Sequence, residues 1–240
     1  MNDTTHHIAS AFDRDLETTQ AQIIKMGGLV ERAILDAASS LDARDEESAE
    51  KVRDKDKAID ALEESIYEEC ARIIALRAPT AIDLRLVLSV MKISGNLERI
   101  GDYAKNMAKR TGVLVTMAPI EGATVSLKRM ARDVQLMLRD ALDAYIQRDA
   151  DLAMDVIRRD REIDQLYNAL FREFLTFMME DPRSITACMH LHFIAKNTER
   201  MGDHVTSIAE QVVYLVTGEM PDEDRKSKDK TSTDPKLGEV

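Results

Sequence analysis

Residues 49–62 read AEKVRDKDKAIDAL, and 104 positions later residues 153–166 read AMDVIRRDREIDQL. Ala49, Val52, Asp56, Ile59, Asp60 and Leu62 return unchanged as Ala153, Val156, Asp160, Ile163, Asp164 and Leu166. The steps of three and four are those that bring residues to one face of a helix. Two aspartates therefore sit twice, in the same phase, on or beside an apolar helical stripe. A coincidence of that kind points to an internal repeat, and hence to a chain built from two similar helical units.

Upstream, at the same offset of 104, Ile23, Met26, Val30, Ile34, Ala37 and Leu41 match Leu127, Met130, Val134, Leu138, Ala141 and Tyr145, apolar throughout. Downstream the offset becomes 101: Asn96, Glu98, Arg99, Gly101 and Asp102 match Asn197, Glu199, Arg200, Gly202 and Asp203. The three-residue difference falls between the corners at Pro79 and Pro182. Pro79, Pro119 and Pro182 separate long stretches of Ala, Leu, Ile, Met, Glu, Arg and Lys, the strong helix formers, and no segment alternates with period two. The predicted fold is all-α, with six long antiparallel helices near 13–43, 47–76, 80–112, 124–148, 150–179 and 183–217. They form two tandem, pseudo-symmetric three-helix bundles over residues 8–112 and 124–217, joined by a connection at 113–123. Residues 218–240 are expected to be a disordered charged tail, because from 219 on twelve of 22 residues are charged.

The 240 residues carry 33 Lys+Arg against 44 Asp+Glu, a formal charge of −11, with no Trp. An acidic chain with no evident basic stripe is not expected to bind nucleic acid. No apolar run reaches the roughly 18 residues of a membrane span, and the first thirty residues do not read as a signal peptide, so a cytoplasmic protein without membrane insertion is expected. Cys70 and Cys188 are too few for a disulfide framework and have no zinc-type spacing, so they read as packed thiols. The thirteen Met residues, Met26, Met91 and Met130 among them, read mostly as core.

Four places carry an acid, three spacers and a second acid: Asp56/Asp60, Glu98/Asp102, Asp160/Asp164 and Glu199/Asp203. Residues four apart share a helical face with Cβ atoms about 5–6 Å apart, and like charges there cost about 0.2–0.5 kcal/mol even in water. These pairs lie on or beside apolar stripes, so positive charge is needed where helices two and three of each bundle meet. Arg99 and Arg200 follow a Glu directly and point about 100° away from it. A cation with oxygen ligands answers better: Mg, Mn or Fe, multinuclear if several ions share the acids, and not zinc, for want of Cys and of a convincing His. Gly101 and Gly202, each before the second acid, leave room for a ligand or a neighbouring backbone. The plainer alternative is a solvated acidic face, to which a fifth pair, Asp151/Asp155, is assigned. Of the histidines, His192 and His204 are the best ligand candidates; His6 and His7 lie in the first turns, and His190 is two residues from His192, on another face. No P-loop, nucleophile elbow, activated Cys or Glu-x-x-His pair is present, and a non-catalytic role is expected. The eight acids account for −8 of the −11 and leave −3 on the remainder, so with cations bound the body is nearly neutral.

The segments from Asn96 to Asn106 (NLERIGDYAKN) and from Asn197 to His204 (NTERMGDH), the Asp-x-x-Ile-Asp runs ending at Asp60 and Asp164, and Ala81-Ile-Asp-Leu-Arg85 after Pro79 resemble the paired signature of the PhoU family. Ser207 stands where the first segment has Asn106, and the second corner lacks the Asp-Leu-Arg. The resemblance implies tandem three-helix bundles that bind metal clusters through the acid-x-x-x-Asp motifs, here the same eight acids. It also implies a homodimeric, cytoplasmic, non-catalytic negative regulator linking the phosphate ABC transporter ATPase subunit to the sensor histidine kinase when phosphate is plentiful. Two other readings of the residues stay open: a metal-dependent phosphoester hydrolase on a helical scaffold, and a metal-independent helical adaptor like spectrin or a chaperone.

Overall fold

A computed structural model describes residues 2–221, with the side chains of Phe12 and of Arg14 onward. The expectation of a disordered tail falls almost wholly on residues outside that range. Six helices account for nearly all of the described chain: α1 Asn2–Ala43, α2 Glu46–Arg77, α3 Ile82–Leu114, α4 Ala123–Gln147, α5 Ala150–Glu180 and α6 Ile185–Thr217. The sequence boundaries differ from these mainly at three ends. α1 begins at Asn2 rather than near 13, since no Pro or Gly precedes Gly27. α3 runs through Gly112, and α6 starts after a 3-10 turn at Pro182–Ser184.

The corners repeat as the sequence does. Arg44 and Arg148 adopt left-handed φ of 54° and 57°, and the following Asp45 and Asp149 cap α2 and α5 by accepting the backbone N–H of Ser48 and Leu152, at 3.1 and 2.9 Å. Such a cap contributes about 1 kcal/mol. Arg44 also closes the end of α3, donating to the carbonyls of Leu114 and Val115 at 2.8 and 3.0 Å.

α1, α3, α6 and α4 form a central ring of four in which each touches the next; α2 lies against α1 and α3, and α5 against α4 and α6. α3 and α6 run antiparallel, with Asn96 beside His204 and Arg110 beside His190. α1 and α4 are also antiparallel, with Glu31 on Gln135 and Asp42 on Lys128. The stripes read from the sequence fill the core: all twelve residues of the α1 and α4 stripes are buried, as are Val52, Ile59, Val156 and Ile163. Each large aliphatic side chain so buried contributes about 1.5–3 kcal/mol. Met26 and Met130 are fully buried, and Met91 packs against the core. Cys70 and Cys188 are buried free thiols, with burial and the nearby Glu69 pushing Cys70 up to about 11, so its thiolate is suppressed. No helix of the described residues is long and apolar enough to cross a membrane.

Candidate metal-binding acid clusters

The acid pairs lie where α2 meets α3 and where α5 meets α6. In the α2–α3 groove Asp56 is 4% exposed, Glu98 and Asp102 are half-buried, and Asp60 stands exposed at the rim. The four interact as one set. Loss of water raises the Asp60 carboxyl above its ordinary value; the charges of Asp56 and Asp102 add to that, and Lys105 opposes it. Glu98 is raised by burial, by the charge of Asp102, and by a hydrogen bond with Asp102, while Arg99 pulls the other way.

The positive charge comes from Lys105, a residue the sequence reading passed over. Its ammonium donates to Asp102 Oδ1 at 2.7 Å and also to Asp56 Oδ2, bridging α3 to α2. Burial works against that charge, but the hydrogen bonds and charges of the two acids outweigh it, and the Lys105 pKa rises. Arg99, by contrast, pairs with its neighbour Glu98 at 3.7 Å, and its side chain is largely exposed.

The α5–α6 groove is built on the same plan with deeper burial: Asp160, Asp164 and Glu199 are 3–4% exposed, and Asp203 is half-buried. The position of Lys105 is taken here by Thr206, whose hydroxyl donates to the carbonyl of Gly202 at 3.0 Å. An ammonium reaches this groove from Lys196, one turn before Glu199, with its Nζ 3.0 Å from Glu199 Oε1. Each lysine stands three residues from an acid on its own helix, and that spacing was the available signal.

Gly101 and Gly202 have a physical reason. A Cβ at Gly101 would lie 3.0 Å from Ile59 Cδ1 and 3.5 Å from Asp56 Oδ1; one at Gly202 would lie 3.3 Å from Asp160 Oδ1 and 3.4 Å from Ile163 Cγ2. The space is taken by side chains of the facing helix, not by its backbone. The glycines thus let the first acid of α2 and of α5 approach the second acid of α3 and of α6.

Among the described residues no three of the acids, histidines and cysteines stand together as a ready metal cage. In the first groove an ion would have to displace the Lys105 ammonium. In the second it would have to displace the Lys196 ammonium from Glu199, among more deeply buried carboxylates; the all-oxygen donor sets of both grooves suit a hard cation. The candidate histidines have other surroundings. His204 Nδ1 lies 2.8 Å from Asn96 Oδ1 with its ring against Tyr103, and His192 sits among the rings of Tyr167, Phe171 and Phe193. The side chains of His6 and His7 lie outside the described residues. The fifth pair is a surface feature as expected: Asp151 is exposed, and Asp155 pairs with Arg158 and Arg159 at 3.3 Å.

A family profile described as the PhoU domain matches the chain twice, over residues 23–111 and 127–212. A phosphate-specific transport system accessory protein PhoU homolog of Zymomonas mobilis is 49% identical over 93% of this chain and 94% of its own length. One from Caulobacter vibrioides is 44% identical over 90% and 94%. The crystal structure of PhoU from Pseudomonas aeruginosa superposes with a TM-score of 0.84 at 41% identity, covering 87% of this chain and all of the other. That of the phosphate transport system regulatory protein PhoU from Streptococcus pneumoniae gives 0.80 at 33% identity, over 88% and 99%.

Proposed function

This chain belongs to the PhoU family, and from that premise we propose that it regulates phosphate uptake by contact with other proteins rather than by catalysis. The observation that carries the reading is the repeated acid pairing: two corresponding grooves, each lined by two acid pairs on facing helices that a glycine allows to approach. The contacts proposed are with the ATPase subunit of the phosphate ABC transporter and with the sensor histidine kinase of the phosphate regulon. At plentiful phosphate the protein restrains both, from the cytoplasm and as a homodimer.

Magnesium, manganese or iron is proposed as the ion held by Asp56, Asp60, Glu98 and Asp102 in one groove and by Asp160, Asp164, Glu199 and Asp203 in the other. Such an ion would neutralise the acids and tie the outer helix of each bundle to the inner one. Each groove already holds an ammonium that an ion would displace, Lys105 in the first and Lys196 in the second. The chain's own residues do the positioning: Asp56 and Asp160 are brought in over Gly101 and Gly202, and Asn96 joins α3 to α6 through His204.

Recovery of partners on the tagged protein from phosphate-replete cells, with and without chelator, tests this. The transporter ATPase subunit or the kinase should come down, and less of each with chelator. Recovery that ignores chelator would support the metal-independent adaptor. Turnover of p-nitrophenyl phosphate with added Mg²⁺ or Mn²⁺, lost in Asp203→Ala, would support the hydrolase. No recovery of either partner under any condition would overturn the proposal.

A further inference from the structure

The charge on this acidic chain is segregated. On the described parts of α1 and α4 the exposed charged residues are seven bases, among them Lys25, Arg32, Arg129, Arg132 and Arg139, against one acid, Glu17. Of the half-buried acids of these helices, Asp15 turns to Arg72 and Arg77, Asp36 to Lys55 and Asp140 to Arg159 on other helices; within the pair itself Glu31 takes Gln135, Asp42 takes Lys128 and Asp133 lies 3.9 Å from Arg129, and Asp143 is the one other half-buried acid. Lys25, Arg32, Arg132 and Arg139 form no ion pair among the described residues. The two helices lie side by side on the edge of the central ring opposite α3 and α6, so their exposed sides make one face.

Aliphatic side chains are set among these bases. Ile24 and Leu35 are exposed on α1, and Val125, Leu136 and Ile146 on α4, from 37% to 66%. The antiparallel register that puts Gly27 against Leu142 also puts Ile24 near Ile146 and Leu35 near Leu136. Eleven residues separate Ile24 from Leu35, about 16 Å along a helix. The apolar groups are therefore dispersed in stations among cations rather than gathered in one core, and no aromatic ring is exposed on this face among the described side chains. A stable protein interface concentrates its energy in a central apolar and aromatic cluster. An interfacial helix face instead spreads bases and aliphatics along its length, to meet anionic headgroups and the adjoining acyl boundary.

We propose that the α1–α4 face docks flat on an anionic phospholipid surface, with Lys25, Arg32, Arg129, Arg132 and Arg139 on headgroups and the five aliphatics dipping between them. The overall charge of −11 does not prevent this. The acid grooves lie on the far side of a helix layer about 10 Å thick, and the Debye length at physiological salt is about 8 Å. A two-fold dimer through the same face would set bases against bases, so docking leaves any homodimer contact elsewhere. The inference needs neither metal nor transporter, so it stands or falls apart from the function proposed above.

Flotation of the purified protein with vesicles of phosphatidylcholine, alone or with 40% phosphatidylglycerol, tests it. Each base near an anionic surface contributes about fivefold in partition. Arg132→Glu/Arg139→Glu should therefore lower binding to the anionic vesicles at least about tenfold, and Leu136→Ser/Ile146→Ser several-fold. Lys57→Glu/Arg161→Glu, on exposed positions of α2 and α5, should leave it within about twofold. Unchanged helicity by circular dichroism shows that the variants are folded. Equal binding to both vesicle types, or equal loss in the α2/α5 control, overturns the proposal. So does wild-type protein that ignores vesicles but loses a protein partner when Arg132 and Arg139 are reversed, since the face then serves an acidic protein.

Discussion

At Lys105 one ammonium joins two acids on two helices, and Asp56, almost fully buried, depends on it. Removing one member of a buried ion pair costs about 3–5 kcal/mol, and the quarter-exposed Lys105 side chain places this pair at or below the low end. Lys105→Met should lower the Tm of metal-free protein by about 5–10 °C in a thermal melt, whereas an unchanged Tm would show that water supplies the same compensation. Asp60 is in the opposite position, at the rim beside like charges that raise its pKa. Asp60→Asn should raise the Tm of metal-free protein by about 1 °C at pH 7, and lower it once a bound divalent ion needs the carboxylate. The acids were legible because they recur in phase on both repeats. Lys105 and Lys196 were not, because comparing repeats finds what is shared, and their counterparts are Thr206 and Gly95.

The helices themselves are legible from stripe and breaker, and where their ends differ the causes are local. α1 continues upstream of residue 13 because nothing there stops it, and α3 carries Gly112 because a single glycine costs only about 1 kcal/mol in a long packed helix. Gly101 and Gly202 mark how closely the outer helices approach the inner ones. Gly101→Ala gains about 1 kcal/mol of helix propensity but forces Ile59 aside, an overpacking cost of about 1–3 kcal/mol. It should be the more destabilising of the two alanine variants in urea, because the nearest atom to Gly202 is 3.3 Å away and belongs to a carboxylate. The α3–α6 seam carries a pH dependence. Burial and the Arg110 guanidinium hold His190 below its ordinary value, while Arg110 lies over Phe193 at 4.3 Å. The unfolded chain then takes up the proton first, so stability present above about pH 6.5 declines as pH falls further. His190→Gln should flatten the urea midpoint between pH 7 and 5.5, and an identical slope in the variant would remove His190 as the cause.

Over the whole molecule, the repeat predicted six helices in two sets of three, yet how they assemble was not in the pattern. Stripe phase says which face is buried, not what buries it. The ring of α1, α3, α6 and α4 comes from contacts such as Asn96 with His204 and Glu31 with Gln135, pairs far apart in sequence with no periodic signal. The net charge hid a division in the same way: acid pairs in the α2–α3 and α5–α6 grooves, and an excess of bases among the exposed charges of α1 and α4. The grooves are where the proposed function is most exposed to refutation, through the metal content, by mass spectrometry, of protein purified without chelator. Wild-type protein is expected to carry magnesium, manganese or iron, and Asp102→Ala and Asp203→Ala each to lose part of it. Equal metal content in all three would contradict the assignment of these acids as ligands.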